Sequence, residues 1–154
     1  MTGRVRSGAR LDAAVAGGGV VGAACALALA RAGLHVALVE PRPAPRWLAE
    51  RADLRVYALA PDNAALLGRL GVWPQVLAAR AQPYRSMRVW DAAGGGELAF
   101  QAAAMARSEL GWIVENDLLV DRLWAALVAA GVQLHCPARV EALEQDAAGA
   151  RLRL

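Results

Sequence analysis

The stretch VAGGGVVGAACALALARAGLHVALVE, residues 15–40, decides the fold. Gly17, Gly19 and Gly22 stand at the spacing G-x-G-x-x-G, between a short apolar run and a helix rich in alanine and leucine. The first glycine permits a tight turn, the second lets a pyrophosphate approach the backbone, and the third lets the helix pack closely on the sheet. Because the first N–H groups of a helix are unpaired and its dipole is positive there, phosphate can bind without a basic side chain. The motif predicts a dinucleotide-binding turn.

The residues after this turn complete a βαβ unit. Gly33 is placed to end the helix, and residues 35–39 (HVALV) predict a second buried parallel strand that ends at Glu40. Glu40 follows Gly22 by 18 residues. This is close to the spacing of about 20 expected for the acid that binds a ribose 2′-hydroxyl. A carboxylate there repels a 2′-phosphate, so the pattern disfavours NADP at this site. The alternative is a glycine-rich loop without a ligand.

The composition limits the class of protein. The 154 residues suffice for one domain with a sizeable core. The net charge is +3, but the 17 basic residues are all arginine and are scattered, often beside acids, which argues against nucleic-acid binding. Cys25 and Cys136 are predicted to be buried reduced thiols. His35 and His135 lie in apolar strand patterns without metal-ligand spacing, so we expect no metal.

The N-terminus resembles a signal peptide in its charge pattern. Arg4, Arg6 and Arg10 precede a nearly uncharged run over residues 13–30. Asp12 and three consecutive glycines interrupt that pattern, and the run is too weakly apolar for a membrane span. The βαβ interpretation accounts for the same residues. We therefore expect a tail over residues 1–10, a dinucleotide-binding unit over 11–40, and a cytoplasmic location.

The rest of the chain alternates between helical and extended patterns. The pattern predicts, in order, an irregular connection over 41–53, a strand over 55–59, helices over 61–70 and 74–81, a hairpin of 84–91 with 97–101 outside the parallel sheet, a helix from Asn116 as N-cap to about 130, a buried strand over 132–136, and a hairpin of 138–146 with 150–154. Four tryptophans at apolar positions are interpreted as core residues: Trp73, Trp90, Trp112 and Trp124.

Six segments together resemble one enzyme family. They are, in chain order, GGGVVGAACALALARAG…VALVE, DLRVYAL, LLGRLGVW, PYRSMRVWDAAG, LGWIVEN and LHCPARVEAL. In this order they resemble the N-terminal part of the flavoprotein hydroxylases of ubiquinone biosynthesis, which are aromatic hydroxylases similar to p-hydroxybenzoate hydroxylase. The segment that begins PYR is similar to the benzoquinol hydroxylases that act late in the pathway. From Leu11 onward, the resemblance implies an α/β, Rossmann-like FAD-binding domain with a parallel sheet and extra β-hairpins, truncated relative to the family.

The resemblance implies an FAD-dependent monooxygenase. Such enzymes use FAD, NAD(P)H and O₂ to hydroxylate a prenylated phenol or benzoquinol, while the protein positions the ring and excludes water. The substrate domain and the C-terminal part of the family are absent from these residues, so we expect the chain alone to be inactive. Other proteins of ubiquinone biosynthesis are expected partners, and the full-length protein is expected to associate peripherally with the inner face of the membrane.

The resemblance also assigns cofactor-binding residues, although it leaves the catalytic residues unknown. It places the FAD pyrophosphate at Gly17, Gly19, Gly22 and the backbone of Val21, the ribose at Glu40, the adenine near Arg42 and the backbone of Val140, the central part of the cofactor at Arg55, and the flavin near Asn116. Asp117 departs from the arginine that is common after this asparagine. From the sequence pattern without the resemblance, Arg42 and Arg55 would be interpreted as solvated loop charges and Asn116 as a helix cap.

Two other functions stay open at this point. The chain could be the NAD-binding domain of another oxidoreductase, or a non-catalytic module that binds a nucleotide or a partner.

Overall fold

A computed structural model describes residues 10–44, 46–147 and 149–154. Its helices and strands are, in chain order, β1 (Ala13–Ala16), α1 (Val20–Arg31), β2 (Val36–Val39), β3 (Val56–Leu59), α2 (Pro61–Arg69), α3 (Trp73–Arg80), β4 (Ala81–Tyr84), β5 (Ser86–Trp90), β6 (Glu97–Gln101), a 3-10 turn (Ala103–Met105), β7 (Gly111–Glu115), α4 (Asn116–Ala129), β8 (Gln133–His135), β9 (Ala142–Asp146) and β10 (Gly149–Arg153). The chain forms two compact units. The first unit combines the segments up to Ala44 and from Trp124 onward, and the second covers the residues between them.

A parallel sheet of order β1-β2-β8 forms the centre of the first unit. All four residues of β2 are buried, because β2 has a neighbouring strand on each side and α1 packs over it. This burial explains why its sequence is continuously apolar rather than alternating. On α1, the small Ala23 and Ala26 and the fully buried Leu27 face inward, so the helix lies close to the sheet. The predicted α/β, Rossmann-like fold is confirmed.

Two antiparallel hairpins also agree with the sequence. Strands β5 and β6 form a separate two-stranded sheet in the second unit, and β9 pairs with β10 in the first unit. In the last hairpin Leu143 lies opposite Leu152. The alternating patterns therefore predicted both hairpins, with ends shifted by a few residues.

The second unit has an antiparallel sheet of order β3-β7-β4. Val114 of the central strand is buried, as are Leu67 of α2 and Val76 of α3. The strand β4 is a correction, because the sequence analysis ended a helix at Ala81, began a strand at Tyr84 and assigned no structure to the two residues between them. Pro83 lies within β4, which is tolerated because β4 is an edge strand and needs fewer N–H donors.

The prediction that both cysteines are buried is wrong. Cys25 is exposed, and Cys136 is half-buried, although both are free thiols. In α1 the inward positions are 23, 26 and 27, so position 25 turns to the opposite face of the helix. Cys136 follows β8, which is only three residues long and has exposed ends, in contrast to the buried strand predicted over 132–136.

Other exposed residues also correct the sequence analysis. His35 and His135 are exposed rather than part of an apolar strand face. Trp90 is 67% exposed, because every residue of β5 is exposed in its two-stranded sheet. Among the described residues, no group of histidine, cysteine and acidic side chains could hold a metal ion. The same residues include no helix long and apolar enough to cross a membrane.

Candidate dinucleotide-binding site

Two glycines of the turn between β1 and α1 are required by the backbone itself. Gly17 has φ +103°, in the left-handed region that favours glycine. A Cβ at Gly22 would collide with the carbonyl oxygen of Gly17. The turn therefore brings the end of β1 directly against the first turn of α1, and any side chain at Gly22 would force these two backbone segments apart.

The middle glycine of the motif has a different role. Gly19 precedes α1 with φ −69° and ψ −178°, a conformation open to any residue. Within the described part of the chain, nothing lies within 4 Å of a Cβ built on Gly19, and no side chain caps the helix there. The first turn of α1 contains no acid, and Val21 is 83% exposed. The fold thus does not require Gly19, and the open space beside it at a positive helix end suits a diphosphate.

Glu40 connects the end of β2 to this turn. The residue is only 7% exposed. Its Oε2 accepts a hydrogen bond of 2.7 Å from the Gly18 N–H, and its Oε1 accepts bonds from the Arg42 N–H at 3.1 Å and Arg42 Nε at 3.4 Å. Burial alone raises the pKa of Glu40, but these hydrogen bonds and the Arg42 charge outweigh it and lower the pKa below its usual value. At neutral pH Glu40 is a carboxylate that holds the turn.

Trp124 of α4 contacts the same turn. Its Nε1–H donates a hydrogen bond of 2.7 Å to the carbonyl oxygen of Gly18, and the residue is 7% exposed. A Cβ at Gly18 would collide with this ring, so Gly18 is also confined to glycine although the motif leaves that position free. The sequence analysis placed Trp124 in the core and missed the hydrogen bond. Since the two residues are 106 positions apart, no local pattern could have indicated it.

Arg42 and Val140 belong to the same unit as the glycine turn. The Arg42 side chain is 82% exposed and pairs with Glu40, while its carbonyl oxygen accepts a bond of 3.0 Å from Cys136 Sγ. Val140 is half-buried in the irregular segment between β8 and β9. Their expected contacts with adenine stay predictions.

Arg55 lies in the second unit, at a cleft of about 320 Å³ whose lining includes Arg46 and Arg51. Its Nη2 donates to Asp117 Oδ1 at 3.0 Å, and its Nε lies 3.8 Å from Asp53 Oδ1. The two aspartates therefore fix the guanidinium at the wall of this cleft. Arg55 is held by ion pairs and is not a freely solvated loop charge.

The predicted capping role of Asn116 is corrected by the structure. Asn116 is the first residue of α4, where its Oδ1 accepts a bond of 3.3 Å from the Tyr57 hydroxyl and its Nδ2 donates to Asp117 at 2.8 Å. Asp53 Oδ2 instead accepts the Asp117 N–H at 3.0 Å and so caps the helix from another segment. The Arg55 N–H lowers the pKa of Asp53 against the opposing effect of burial, and the Asp117 N–H adds to the lowering.

A buried network around Glu115 supports the segment that lines the cleft, and the sequence analysis missed it. Glu115 is 7% exposed and accepts bonds from Trp47 Nε1 at 2.6 Å and Arg80 Nη1 at 2.7 Å. The guanidinium carbons of Arg80 and Arg122 lie 5.5 and 5.6 Å from the centre of the Trp47 ring, within cation–π range. Burial raises the pKa of Glu115, but the bonds from Trp47 and Arg80 lower it further than burial raises it.

The fold and the glycine turn define a class of protein. The family model described as FAD dependent oxidoreductase matches residues 12–56, a range that includes the whole βαβ unit and Glu40. Two solved structures share the fold. The flavin-dependent monooxygenase PieE, in complex with FAD and substrate, has a TM-score of 0.73 at 24% identity, over 94% of this chain and 27% of that chain. The probable FAD-dependent monooxygenase pqsL of Pseudomonas aeruginosa has a TM-score of 0.67 at 20% identity, over 92% of this chain and 38% of that chain.

Sequence relatives narrow the class to a family. The 3-demethoxyubiquinol 3-hydroxylase of Escherichia coli is 38% identical over 136 residues, which are 87% of this chain and 34% of the relative. The ubiquinone hydroxylase UbiL of Rhodospirillum rubrum is 35% identical over 90% of this chain and 32% of its own length. The human mitochondrial ubiquinone biosynthesis monooxygenase COQ6 is 34% identical over 77% of this chain and 26% of its own length.

Over most of its length the chain is similar to the FAD-dependent hydroxylases of ubiquinone biosynthesis, as the resemblance predicted. It spans between about a quarter and a third of the length of these curated relatives.

Proposed function

We propose that this chain is the ADP-binding part of an FAD-dependent monooxygenase that hydroxylates a prenylated phenol or benzoquinol in ubiquinone biosynthesis, with NAD(P)H and O₂ as co-substrates. The observation that carries the proposal is the open turn at Gly19, which lies at the positive end of α1 and is held by the buried carboxylate of Glu40. The names of the relatives support the hydroxylase activity and the ubiquinone-type substrate.

The residues of the first unit suit the adenosine diphosphate half of FAD. The free N–H groups at the start of α1 would bind the pyrophosphate, and the absence of a side chain at Gly19 would let it approach. Glu40 Oε2 accepts one bond from the protein and has a further lone pair for a ribose hydroxyl, whereas Oε1 already accepts two bonds from Arg42. Arg42 and the Val140 backbone would lie near the adenine.

Two residues of the second unit complete the assignment. Arg55, fixed by Asp53 and Asp117, would contact the central part of the cofactor, and Asn116 would contact the flavin. The bound flavin would supply the oxygen chemistry. The protein would bind and orient the cofactor and keep water from the reacting ring.

We further propose a cytoplasmic location, peripheral association of the full-length protein with the inner face of the membrane, and partners among other proteins of ubiquinone biosynthesis. The membrane proposal rests on the prenyl tail of the proposed substrate, which would partition into lipid.

Binding measurements separate this proposal from its rivals. Calorimetric titration of the chain with FAD, ADP, NAD and FMN tests which half of the cofactor is bound. We expect FAD and ADP to bind with similar affinity and FMN, which lacks the adenosine monophosphate part of FAD, not to bind. Binding of NAD but not FAD would favour the NAD-binding domain, and binding of FMN alone would contradict the assigned site.

A chimaera tests the activity. Residues 11–154 replace the matching segment of the Escherichia coli 3-demethoxyubiquinol 3-hydroxylase, and the hydroxylated quinol is measured in cells that lack the native enzyme. We expect the chimaera to restore the product and its Gly19→Val variant not to do so. A chimaera that is folded and saturated with FAD but forms no product would contradict the monooxygenase proposal and leave the nucleotide-binding module.

A further inference from the structure

The two peptide groups on either side of the Gly18 Cα are each fixed by one buried side chain. Glu40 accepts the Gly18 N–H at 2.7 Å, which fixes the peptide between Gly17 and Gly18. Trp124 Nε1–H donates to the Gly18 carbonyl at 2.7 Å, which fixes the next peptide, between Gly18 and Gly19. Because glycine populates a wide range of backbone angles, a run of three glycines needs such external partners to hold one conformation.

The hydrogen bond from the Gly18 N–H to Glu40 determines where the Gly17 carbonyl points. In a trans peptide the C=O and N–H groups point in opposite directions. Since Glu40 holds the Gly18 N–H, the Gly17 carbonyl points away from Glu40. That carbonyl lies where a Cβ of Gly22 would have to be. By holding the Gly18 N–H, the Glu40 side chain therefore determines the direction of the Gly17 carbonyl on the opposite side of the peptide.

The second bond has the same geometry. Trp124 holds the Gly18 carbonyl, so the N–H of the same peptide, which belongs to Gly19, points away from the indole. Gly19 is the residue with open space around it and stands directly before the free N–H groups of α1. The orientation imposed by Trp124 thus adds one more donor to those at the helix terminus.

We propose that Trp124 is a positioning residue of the nucleotide site: its indole N–H fixes the Gly18–Gly19 peptide so that the Gly19 N–H is directed at the diphosphate of the bound cofactor. The inference rests on the proposed function and deepens it. Without the indole donor, the peptide can rotate and the Gly18 carbonyl competes for the space in which the phosphate binds. The effect is specific for phosphate, because Trp124 would not contact the adenosine directly.

The test uses Trp124→Phe, which keeps a buried aromatic ring and removes the donor. The matched control is Trp112→Phe, which removes an indole from the edge-to-face pair with Trp73 in the second unit, where ring centres are 5.2 Å apart. Dissociation constants for ADP and for adenosine are measured on the full chain by NMR titration. Urea unfolding of each variant establishes that the protein is folded under the titration conditions.

We expect Trp124→Phe to weaken ADP binding by about 3- to 10-fold, the size of one hydrogen bond, and to leave adenosine binding unchanged. In the free protein the amide resonance of Gly19 should move in Trp124→Phe and stay in place in Trp112→Phe. Equal affinity of wild type and Trp124→Phe for ADP would overturn the inference, as would an equal loss for ADP and adenosine, which would indicate general loosening. A wild-type chain that binds neither ADP nor FAD would instead remove the proposed function itself.

Discussion

The two units of this chain build their candidate sites in different ways. In the first unit the glycine turn presents backbone N–H groups, and its glycines lie within a short stretch between Gly17 and Gly22, although Glu40 and Trp124 hold it from farther along the chain. In the second unit the wall of the cleft depends on side chains from distant segments, such as Trp47, Arg80 and Glu115. A site that is built from backbone N–H groups requires glycines at fixed spacing, and this spacing can be recognised in the sequence. A site that is built from contacts between distant side chains has no such pattern.

Two buried glutamates, one in each unit, illustrate this difference between the two sites. Glu40 and Glu115 are equally buried, and the pKa of each lies below its usual value. Glu40 is held mainly by the backbone N–H groups of Gly18 and Arg42, whereas Glu115 is held by the side chains of Trp47 and Arg80. We therefore predict that Glu40 belongs to the binding site and that Glu115 supports the second unit.

The largest expected effect is a loss of folding in the first unit. Gly22→Ala places a Cβ against the Gly17 carbonyl, a collision between backbone segments that no rotamer relieves. We expect a destabilisation of about 4 kcal/mol or more, measured by urea unfolding. Gly68→Ala is the control in the second unit: it lies inside α2, where the described residues leave space for a Cβ, and it should stabilise by about 0.5 to 1 kcal/mol. Similar effects of the two substitutions would contradict the assigned packing.

The next effect separates binding from folding within the same turn. Gly19→Val keeps an allowed backbone conformation but fills the open space that the diphosphate needs. We expect ADP and FAD affinity to fall at least about 1,000-fold, with little change in unfolding free energy. Calorimetry and circular dichroism measure the two quantities, and unaltered nucleotide affinity would place the ligand elsewhere.

The sequence predicted the elements that depend on local patterns and missed the contacts between distant segments. The βαβ unit and both hairpins were predictable because apolar runs, alternation and glycine spacing are local signals. The strand β4 was missed because it is only four residues long and contains a proline, so it lacks the alternation and composition that indicate a strand. Neighbours in the chain could not indicate that Asp53 caps α4, since Asp53 and Asp117 are 64 residues apart.

The candidate site was predicted only in part. Gly17, Gly19 and Gly22 are where the motif requires them, and Glu40 contacts the turn. Their roles toward FAD are still predictions. The contact of Trp124 with Gly18 required the fold, because α4 brings the indole to a turn at the other end of the sequence.

A smaller effect distinguishes the two glutamates. Glu40→Gln keeps the size of the side chain and removes its charge, so ADP binding should weaken by about 1.5 to 3 kcal/mol. Glu115→Gln should lower the unfolding free energy, because it weakens the bonds that Glu115 accepts from Trp47 and Arg80. It should leave ADP affinity unchanged. Equal losses of ADP affinity in both variants would remove the distinction.

The smallest effect is on acid stability. The pKa values of Glu40 and Glu115 are lowered in the folded chain, so these carboxylates stabilise it above the unfolded value of about 4.3, and this stability is lost as the pH falls through the folded pKa. Unfolding free energy should therefore decrease with falling pH in the acid range. Each glutamine variant should show a shallower decrease than wild type; unchanged slopes in both would contradict the pKa assignments.

The central claim is that the glycine turn binds the diphosphate of an adenine nucleotide through its backbone. Titration of the isotopically labelled chain with ADP, followed by amide NMR, tests it most directly. We predict saturable shifts that are largest at the amides of Gly19, Val20 and Val21. Saturable binding with unshifted turn amides, or shifts confined to the second unit, would contradict the claim.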